Sequence, residues 1–183
     1  PPRNGFPNMK CATNELVFIA GAKHSPNIEA LNWFAAEVLP LLEEKENCHL
    51  YVIGRGWNQK NYSSKQITFL GFVDDLSTIL PGKIMIVPIL SGSGMRMKIL
   101  EAVNNSVPFV STTVGAEGMG FLSGRDCFIE NTPIDFCNAI LRLMHDKNLQ
   151  EQFVTNARNH YEENFSANAL GKKRVEILKS IFK

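Results

Sequence analysis

Short runs of apolar residues recur along the chain, each followed by a polar or helical stretch. The runs lie at 16–20, 50–53, 67–70, 84–87, 109–112 and 127–129. Most are apolar at consecutive positions, which is typical of a parallel strand buried on both faces. Four of them end directly at a glycine or proline, which are common turn residues. The pattern therefore predicts six strands.

Between these runs, apolar residues recur at a spacing of three and four, which predicts amphipathic helices. The first begins at Ser25, with Ser25 expected as the N-cap and Pro26 at the first helical position. Pro40 lies inside this stretch and is expected to kink or end the helix. Further helices are expected after Asp74 or Asp75, through Ile99 and Val103, from Pro133 onward and after Ser166.

Strands that alternate with helices indicate βαβ units and a parallel sheet. We predict an α/β fold, a Rossmann-like doubly wound parallel sheet of about six strands with helices on both faces and a helical C-terminus. Residues 1–13 contain three prolines and one glycine and are predicted to be a linker, with a single domain at 14–183. Because the chain begins at Pro1-Pro2, we interpret it as a piece of a longer protein.

Composition narrows the class of protein. The 183 residues are 44% hydrophobic and carry 19 basic and 18 acidic side chains, a net charge of +1. This balance argues against bulk electrostatic binding to nucleic acid. The four cysteines have neither zinc-site nor disulfide-scaffold spacing, and no apolar run approaches the roughly 20 residues of a membrane span. We therefore expect a cytoplasmic protein, and leave open a peripheral membrane association of the full-length chain.

Glycines and basic residues concentrate where the predicted strands end, which is where such sheets bind ligands. The segment SGSGMRMKILEAV at 91–103 is the most informative. Its glycines and serines precede a helix, whose free N–H groups attract anions, and Arg96 and Lys98 add positive charge. A diphosphate is the expected ligand. Glu101, further along this helix, is placed to accept hydrogen bonds from paired hydroxyls such as those of a ribose.

Other readings of these loops have weaker support. A dinucleotide fingerprint needs a third glycine, where Met97 stands, and should follow the first strand rather than the fourth. A P-loop needs Gly-Lys-Ser/Thr, which is absent from the sequence. A phosphorelay receiver needs an acidic pair after the first strand, where this chain has Gly-Ala-Lys-His. The serines at 91 and 93 lack the context of a hydrolase nucleophile elbow.

Five blocks occur in a specific order: LVFIAG at 16–21, LYVIGRG at 50–56, ITFLGFVDDL at 67–76, IVPILSGSGMRMKILEAV at 86–103 and PFVSTTVGAEGM at 108–119. Together they resemble the C-terminal, donor-binding domain of retaining group 1 glycosyltransferases of the GT-B fold. The resemblance implies transfer of a sugar, of the hexosyltransferase type, from a nucleoside-diphosphate sugar. It implies no cofactor, no obligatory metal, and an acceptor (a sugar, lipid or protein) held by an N-terminal domain absent from this chain, so that the isolated chain is inactive.

The resemblance also implies roles for individual residues. Phe72 and Val73 would frame the nucleobase, largely through their backbone. Gly92, Ser93 and Gly94 would offer N–H groups to the diphosphate and the sugar, and Glu101 would hold the ribose.

The sequence departs from the family pattern at three positions. Ser93 stands where the family often has a first glutamate, and Ala22 and Asn27 stand where it often has basic residues that neutralise the diphosphate. That charge must then come from Lys23, Arg55, Arg96 or Lys98, of which we favour Arg55 and Lys98.

Two alternatives remain open at this point. One is half of a sugar-nucleotide epimerase on the same fold, although its acid and base carboxylates are not evident. The other is a non-catalytic nucleotide-binding module. Release of free nucleotide from a donor by the full-length protein would separate a transferase from such a module.

Overall fold

The computed structural model describes residues 6–11, 13–92 and 97–181. Six parallel strands form one sheet in the order β3-β2-β1-β4-β5-β6. The strands are β1 (Glu15–Ile19), β2 (His49–Ile53), β3 (Ile67–Gly71), β4 (Ile84–Val87), β5 (Phe109–Ser111) and β6 (Phe128–Ile129). All six predicted strands are confirmed, with ends that differ by a residue or two.

Helices connect the strands and form the C-terminal third of the chain. They are α1 (Ser25–Trp33), a π-helical turn (Phe34–Val38), α2 (Leu39–Glu43), α3 (Met97–Asn104), α4 (Thr113–Ala116), α5 (Pro133–His145), α6 (Lys147–Asn164) and α7 (Ala167–Ile181). Short 3-10 turns cover Gln59–Asn61 and Leu76–Thr78. The second follows Asp75, whose side chain accepts a hydrogen bond of 3.0 Å from the Ser77 N–H, so Asp75 is the cap of the predicted pair.

The topology is doubly wound, as predicted. The crossover from β1 to β2 and the crossover from β4 to β5 run in opposite directions across the sheet. Since such crossovers are right-handed, they place the helices at 25–43 on one face and α3 on the other. Each face is covered again by the C-terminal helices. The Phe136 ring of α5 lies 5.5 Å from the Trp33 ring of α1.

The core lies along the central strands. Every residue of β4 is buried, and so are Leu16, Val17 and Phe18 in β1, which explains the unbroken apolar runs in the sequence. The largest fully buried side chains include Phe18, Phe34, Phe109, Phe136 and Phe153.

The N-terminus of α1 differs from the prediction. Ser25 is the first helical residue rather than the N-cap, which is His24, in an extended conformation and with no side-chain cap. The Asn27 N–H instead bonds to the His24 carbonyl at 3.0 Å. Pro26 lies in the first turn, where its missing N–H costs no helical hydrogen bond.

Pro40 does not end the helical segment, which continues past it to Glu43. Its ring would crowd the carbonyl four residues earlier in an α-helix, and it has no N–H to donate. The chain accommodates it by widening one turn, so that the Leu39 N–H bonds to the Phe34 carbonyl across five residues. The helical path then continues from Leu39 to Glu43 through this π-turn.

Candidate functional site

The strand order reverses between β1 and β4, and the loops that follow these two strands diverge to opposite faces. In open α/β sheets, the crevice at such a switch point is where ligands bind. Residues 21–24 follow β1 here, and residues 88–92 follow β4. We call the space between these loops and the start of α3 the switch-point crevice.

Three contacts join the two sides of the switch-point crevice. The Lys98 Nζ, on the first turn of α3, donates a hydrogen bond of 3.1 Å to Oδ1 of Asn27. The Ser91 hydroxyl donates to Oε2 of Glu29 at 2.5 Å. Gly92 has a φ of +104°, and a Cβ there would lie 3.2 Å from Cγ of Pro26. Glycine at 92 therefore allows both a left-handed backbone and close approach to α1.

The side-chain amide of Asn27 also makes a second hydrogen bond, through its nitrogen. Its Nδ2 donates a hydrogen bond of 2.8 Å to the Gly21 carbonyl, and the residue is only 7% exposed. Lys98 is half-buried beside it. The basic side chain of α3 is thus connected, through one amide, to the end of β1.

Glu101 lies one turn further along α3 than Lys98, so both side chains are on the same part of the helix surface. Glu101 is half-buried. Asn105, one turn later, donates from Nδ2 to the Glu101 backbone carbonyl at 2.8 Å and approaches its Oε2 at 3.5 Å. The carboxylate therefore keeps acceptor capacity, as its predicted interaction with ribose hydroxyls requires.

Arg55 and Phe72 form a second pair at the carboxyl edge, after β2 and β3. The Arg55 guanidinium carbon lies 4.4 Å from the centroid of the Phe72 ring, which is a cation–π contact. The Gly54 N–H bonds to the Gly71 carbonyl at 2.7 Å, and the Ala22 N–H bonds to the Arg55 carbonyl at 2.9 Å. Phe72 is 57% exposed. The exposed Phe72 ring, in contact with the Arg55 guanidinium, thus lies beside the crevice.

Of the remaining predicted site residues, two are described by the structure and three are not. Val73 is half-buried and packs on the core, and Lys23 is exposed in the turn between β1 and α1. Ser93, Gly94 and Arg96 lie outside the described residues. On either side of that gap, Ser91, Gly92 and Met97 are exposed.

The sequence prediction gave no site role to Asn27, Glu29 or Ser91, which make bridging contacts in the structure. The signal available for Asn27 was its position directly after Pro26, at a place where the family often carries a basic residue. Nothing in the local sequence marks Glu29, which is one of several polar residues on α1.

The three buried thiols are unsuited to nucleophilic catalysis. Cys48, Cys127 and Cys137 are buried, and burial raises the pKa of all three thiols, that of Cys48 to about 11. A thiol needs a lowered pKa to act as a nucleophile near neutral pH. Within residues 6–11, 13–92 and 97–181, no group of three or more His, Cys, Asp or Glu side chains is placed to hold a metal ion.

None of the helices in the described part of the chain is both long and apolar enough to cross a membrane.

The sheet order places this chain in the class of doubly wound α/β domains. Within that class, residues 13–146 match the model of the family described as Glycosyl transferases group 1, and the chain belongs to this family. A protein of Klebsiella pneumoniae, described as an uncharacterised 44.6 kDa protein in the cps region, is 25% identical over 181 residues. The alignment covers 92% of this chain and 45% of that protein.

Two solved structures show the same fold. TarM from S. aureus, crystallised with UDP among other ligands, superposes with a TM-score of 0.76 at 15% identity, over 96% of this chain and 37% of TarM. The C-terminal domain of a group 1 glycosyltransferase, LpcC from Francisella tularensis, gives a TM-score of 0.66 at 16% identity. It covers 85% of this chain and 88% of that domain. This chain therefore has the fold of the C-terminal domain of a GT-B glycosyltransferase and spans less than half of TarM and of the Klebsiella protein.

Proposed function

We propose that this chain is the donor-binding domain of a retaining glycosyltransferase and binds a nucleoside-diphosphate sugar in the switch-point crevice. The observation that carries the proposal is the contact between Lys98 and Asn27, which fixes a cation at the mouth of the crevice. The acceptor would be held by an N-terminal domain outside this chain. Family membership supports glycosyl transfer as the reaction.

Each part of the donor has a proposed partner. Lys98 and Arg55 neutralise the diphosphate, with Lys23 as a further cation at the same edge. The backbone N–H groups of Gly92, Ser93 and Gly94 bind phosphate and sugar oxygens. Phe72 and Val73 frame the nucleobase, and the Glu101 carboxylate accepts hydrogen bonds from the ribose hydroxyls.

The chemical step places negative charge on the leaving group. The bond between the anomeric carbon and the diphosphate oxygen breaks, and a bond from that carbon to the acceptor oxygen forms. The nucleoside diphosphate leaves with the electron pair of the broken bond, and its departing phosphate oxygen takes up the proton of the acceptor hydroxyl. Cations and backbone N–H groups near the leaving group would stabilise this developing charge. Because the acceptor site lies in another domain, we expect the isolated chain to bind nucleotide without transferring sugar.

The side chains supply positive charge, so we propose that no metal is obligatory. When this chain is titrated with a nucleoside diphosphate, we expect the affinity in excess EDTA to lie within about twofold of the affinity in magnesium. A loss of tenfold or more would mean that a divalent ion carries part of the diphosphate binding.

Calorimetric titration of this chain with UDP, GDP and ADP tests the binding proposal. We expect one of them to bind with one-to-one stoichiometry, and Lys98→Met to weaken it by about 10- to 100-fold, as is usual for a hydrogen bond between charged groups. Lys147→Met is the matched control, because Lys147 is exposed at the start of α6, at the opposite edge of the sheet. If none of the three binds, the nucleotide site is refuted. Incubating the full-length protein with nucleotide sugars and measuring released nucleotide then tests transfer.

A further inference from the structure

Arg55 lies in a turn whose backbone has little conformational preference of its own. It stands between Gly54 and Gly56, which have φ values of +147° and +88°. Glycine loses more conformational freedom than any other residue when it is fixed, so a Gly-Arg-Gly turn keeps one shape only if contacts from outside hold it. Arg55 itself is exposed, so burial does not fix its position. The contacts that hold this turn therefore decide where the guanidinium stands.

Hydrogen bonds to the end of β1 hold the turn before, at and after Arg55. Before it, the Ala20 N–H bonds to the Ile53 carbonyl at 2.8 Å, and at Arg55 the backbone carbonyl accepts from the Ala22 N–H at 2.9 Å. After it, the indole Nε1 of Trp57 donates a hydrogen bond of 2.7 Å to the Ala20 carbonyl. The first two bonds are made by the backbone and the third by a side chain, so the third depends on the residue at position 57.

The Trp57 indole is itself fixed by aromatic neighbours. Its ring centroid lies 6.5 Å from that of buried Phe18, 6.2 Å from that of Tyr62 and 6.0 Å from that of Phe69. The Tyr62 hydroxyl donates in turn to Oδ1 of Asn32 on α1 at 2.9 Å. Trp57 is half-buried in this cluster, with the apolar ring packed and the polar N–H bonded. The indole N–H therefore reaches the end of β1 from a fixed place.

We infer that Trp57 is a positioning residue, whose indole N–H holds the turn after β2 on the end of β1 and so places the Arg55 guanidinium for the diphosphate. The inference rests on the proposed function. A hydrogen bond from Trp57 to the donor itself is disfavoured, because an indole has a single N–H and the Ala20 carbonyl accepts it. Trp57 thus acts through Arg55.

The nucleobase side of the proposed site should not depend on Trp57. The Gly54 N–H bonds to the Gly71 carbonyl at 2.7 Å and holds the turn that presents Phe72. This bond lies on the other side of Arg55 from Trp57. Loss of the indole hydrogen bond should therefore affect a ligand that carries phosphates and spare one that lacks them.

A double-mutant cycle, measured by calorimetry, tests the inference. The charged probe is whichever of UDP, GDP and ADP binds the wild-type chain, and the corresponding nucleoside is the probe that lacks phosphate. We expect Trp57→Phe, which keeps an aromatic ring and removes the N–H, to weaken the nucleoside diphosphate by about threefold. In the Arg55→Gln background, the same change should alter that affinity by less than about 1.5-fold, because the group that Trp57 places is gone. Nucleoside affinity should not change with Trp57→Phe.

Trp33→Phe is the matched control. Trp33 is also half-buried, and it packs on Phe136 at the end of α1 that is far from the crevice, so its replacement should change neither affinity. An unchanged nucleoside diphosphate affinity for Trp57→Phe, an equal loss in both backgrounds, or a parallel loss of nucleoside affinity would each overturn the inference.

Failure of the proposed function looks different from failure of the inference. If the proposed function is wrong, the wild-type chain binds none of the three nucleoside diphosphates. If Lys98→Met weakens binding and Arg55→Gln does not, the inference about Trp57 fails and the proposed function stands.

An isostere of tryptophan covers the case in which Trp57→Phe does not fold. Benzothienylalanine, incorporated at position 57, carries sulfur in place of the indole N–H, so the ring packing is kept and the hydrogen bond to Ala20 is lost. We expect the same loss of about threefold for the nucleoside diphosphate, with nucleoside affinity unchanged. A nucleoside diphosphate affinity equal to that of the wild type would overturn the inference.

Discussion

The guanidinium carbon of Arg55 lies 4.4 Å from the centroid of the Phe72 ring and joins the turn after β2 to the turn after β3. The proposed function gives these two residues different partners on the donor, diphosphate for Arg55 and nucleobase for Phe72. Their roles can therefore be separated with ligands that differ only in the phosphates.

We predict that Arg55→Gln weakens UDP by about fivefold and leaves uridine unchanged, because an exposed cation is partly screened by solvent. Beyond the backbone contacts that the family resemblance implies, we expect the exposed Phe72 ring to contact the base through its π face. Phe72→Leu should therefore weaken both ligands by the same factor, about threefold to tenfold. Calorimetry with both ligands measures each effect. A Phe72→Leu variant that loses UDP but not uridine affinity would show that the ring acts only through Arg55.

Glu101 should bind the ribose. We predict that Glu101→Ala weakens UDP by about tenfold, because hydrogen bonds to a charged acceptor are lost. The same substitution should have a smaller effect on 2′-deoxy-UDP, which lacks one of the two hydroxyls. Glu151→Ala, at an exposed position on α6, serves as the control. If the Glu101→Ala variant binds UDP with an affinity within about twofold of that of the wild type, Glu101 does not bind the ribose.

Gly54 should tolerate no side chain. Its φ is +147°, and a Cβ would lie 2.0 Å from the Ala20 carbonyl oxygen. We predict that Gly54→Ala lowers the free energy of unfolding by at least about 3 kcal/mol, since backbone strain and a steric clash add. Gly124→Ala is the matched comparison, with a φ of +77° and no atom within 4 Å of the added Cβ. Gly124→Ala should lower the free energy of unfolding by only about 1 kcal/mol, and urea unfolding measures both variants. Equal losses would contradict the close approach of the turns after β1 and β2.

The amino edge of the sheet carries an ion pair that should make stability depend on pH. Lys83 Nζ lies 2.5 Å from Glu15 Oε2, and Tyr51 donates to Glu15 Oε1 at 2.9 Å. The hydrogen bond from Lys83, above all, lowers the pKa of Glu15 below its ordinary value of 4.5. The stabilisation is therefore fully present above pH 4.5 and is lost as the pH falls through the lower, folded-state pKa.

We predict that Glu15→Gln lowers the free energy of unfolding by about 1 kcal/mol or less at pH 7, because the carboxylate is partly exposed and screened. The difference from the wild type should shrink as the pH falls below 4.5. Urea unfolding at a series of pH values measures it. UDP affinity should stay unchanged, since this pair lies at the edge of the sheet opposite the crevice. If the stability difference between Glu15→Gln and the wild type persisted unchanged down to pH 2, the ion pair would not be the source of the pH dependence.

Much of the fold could be predicted because burial on both faces leaves a strong local signal. The strands β1 and β4 are apolar at consecutive positions, and glycine or proline follows each one closely. The cap and the π-turn of the first helical segment could not be predicted in the same way. His24 takes the cap position because the Asn27 N–H reaches its carbonyl, and Pro40 is accommodated by a wider turn rather than by a break.

By itself, the sequence determined the order of strands and helices and predicted the carboxyl edge as the place for a ligand, with Lys98 and Glu101 as candidates there, while Arg55 became a candidate only through the family resemblance. Those inferences depend on residue type and on spacing over short distances, which a linear pattern contains. Only the tertiary structure decided which candidates meet. Lys98 and Asn27 are 71 positions apart, and the reversal of strand order brings them within hydrogen-bond distance, because β1 and β4 become neighbours whose connections leave in opposite directions.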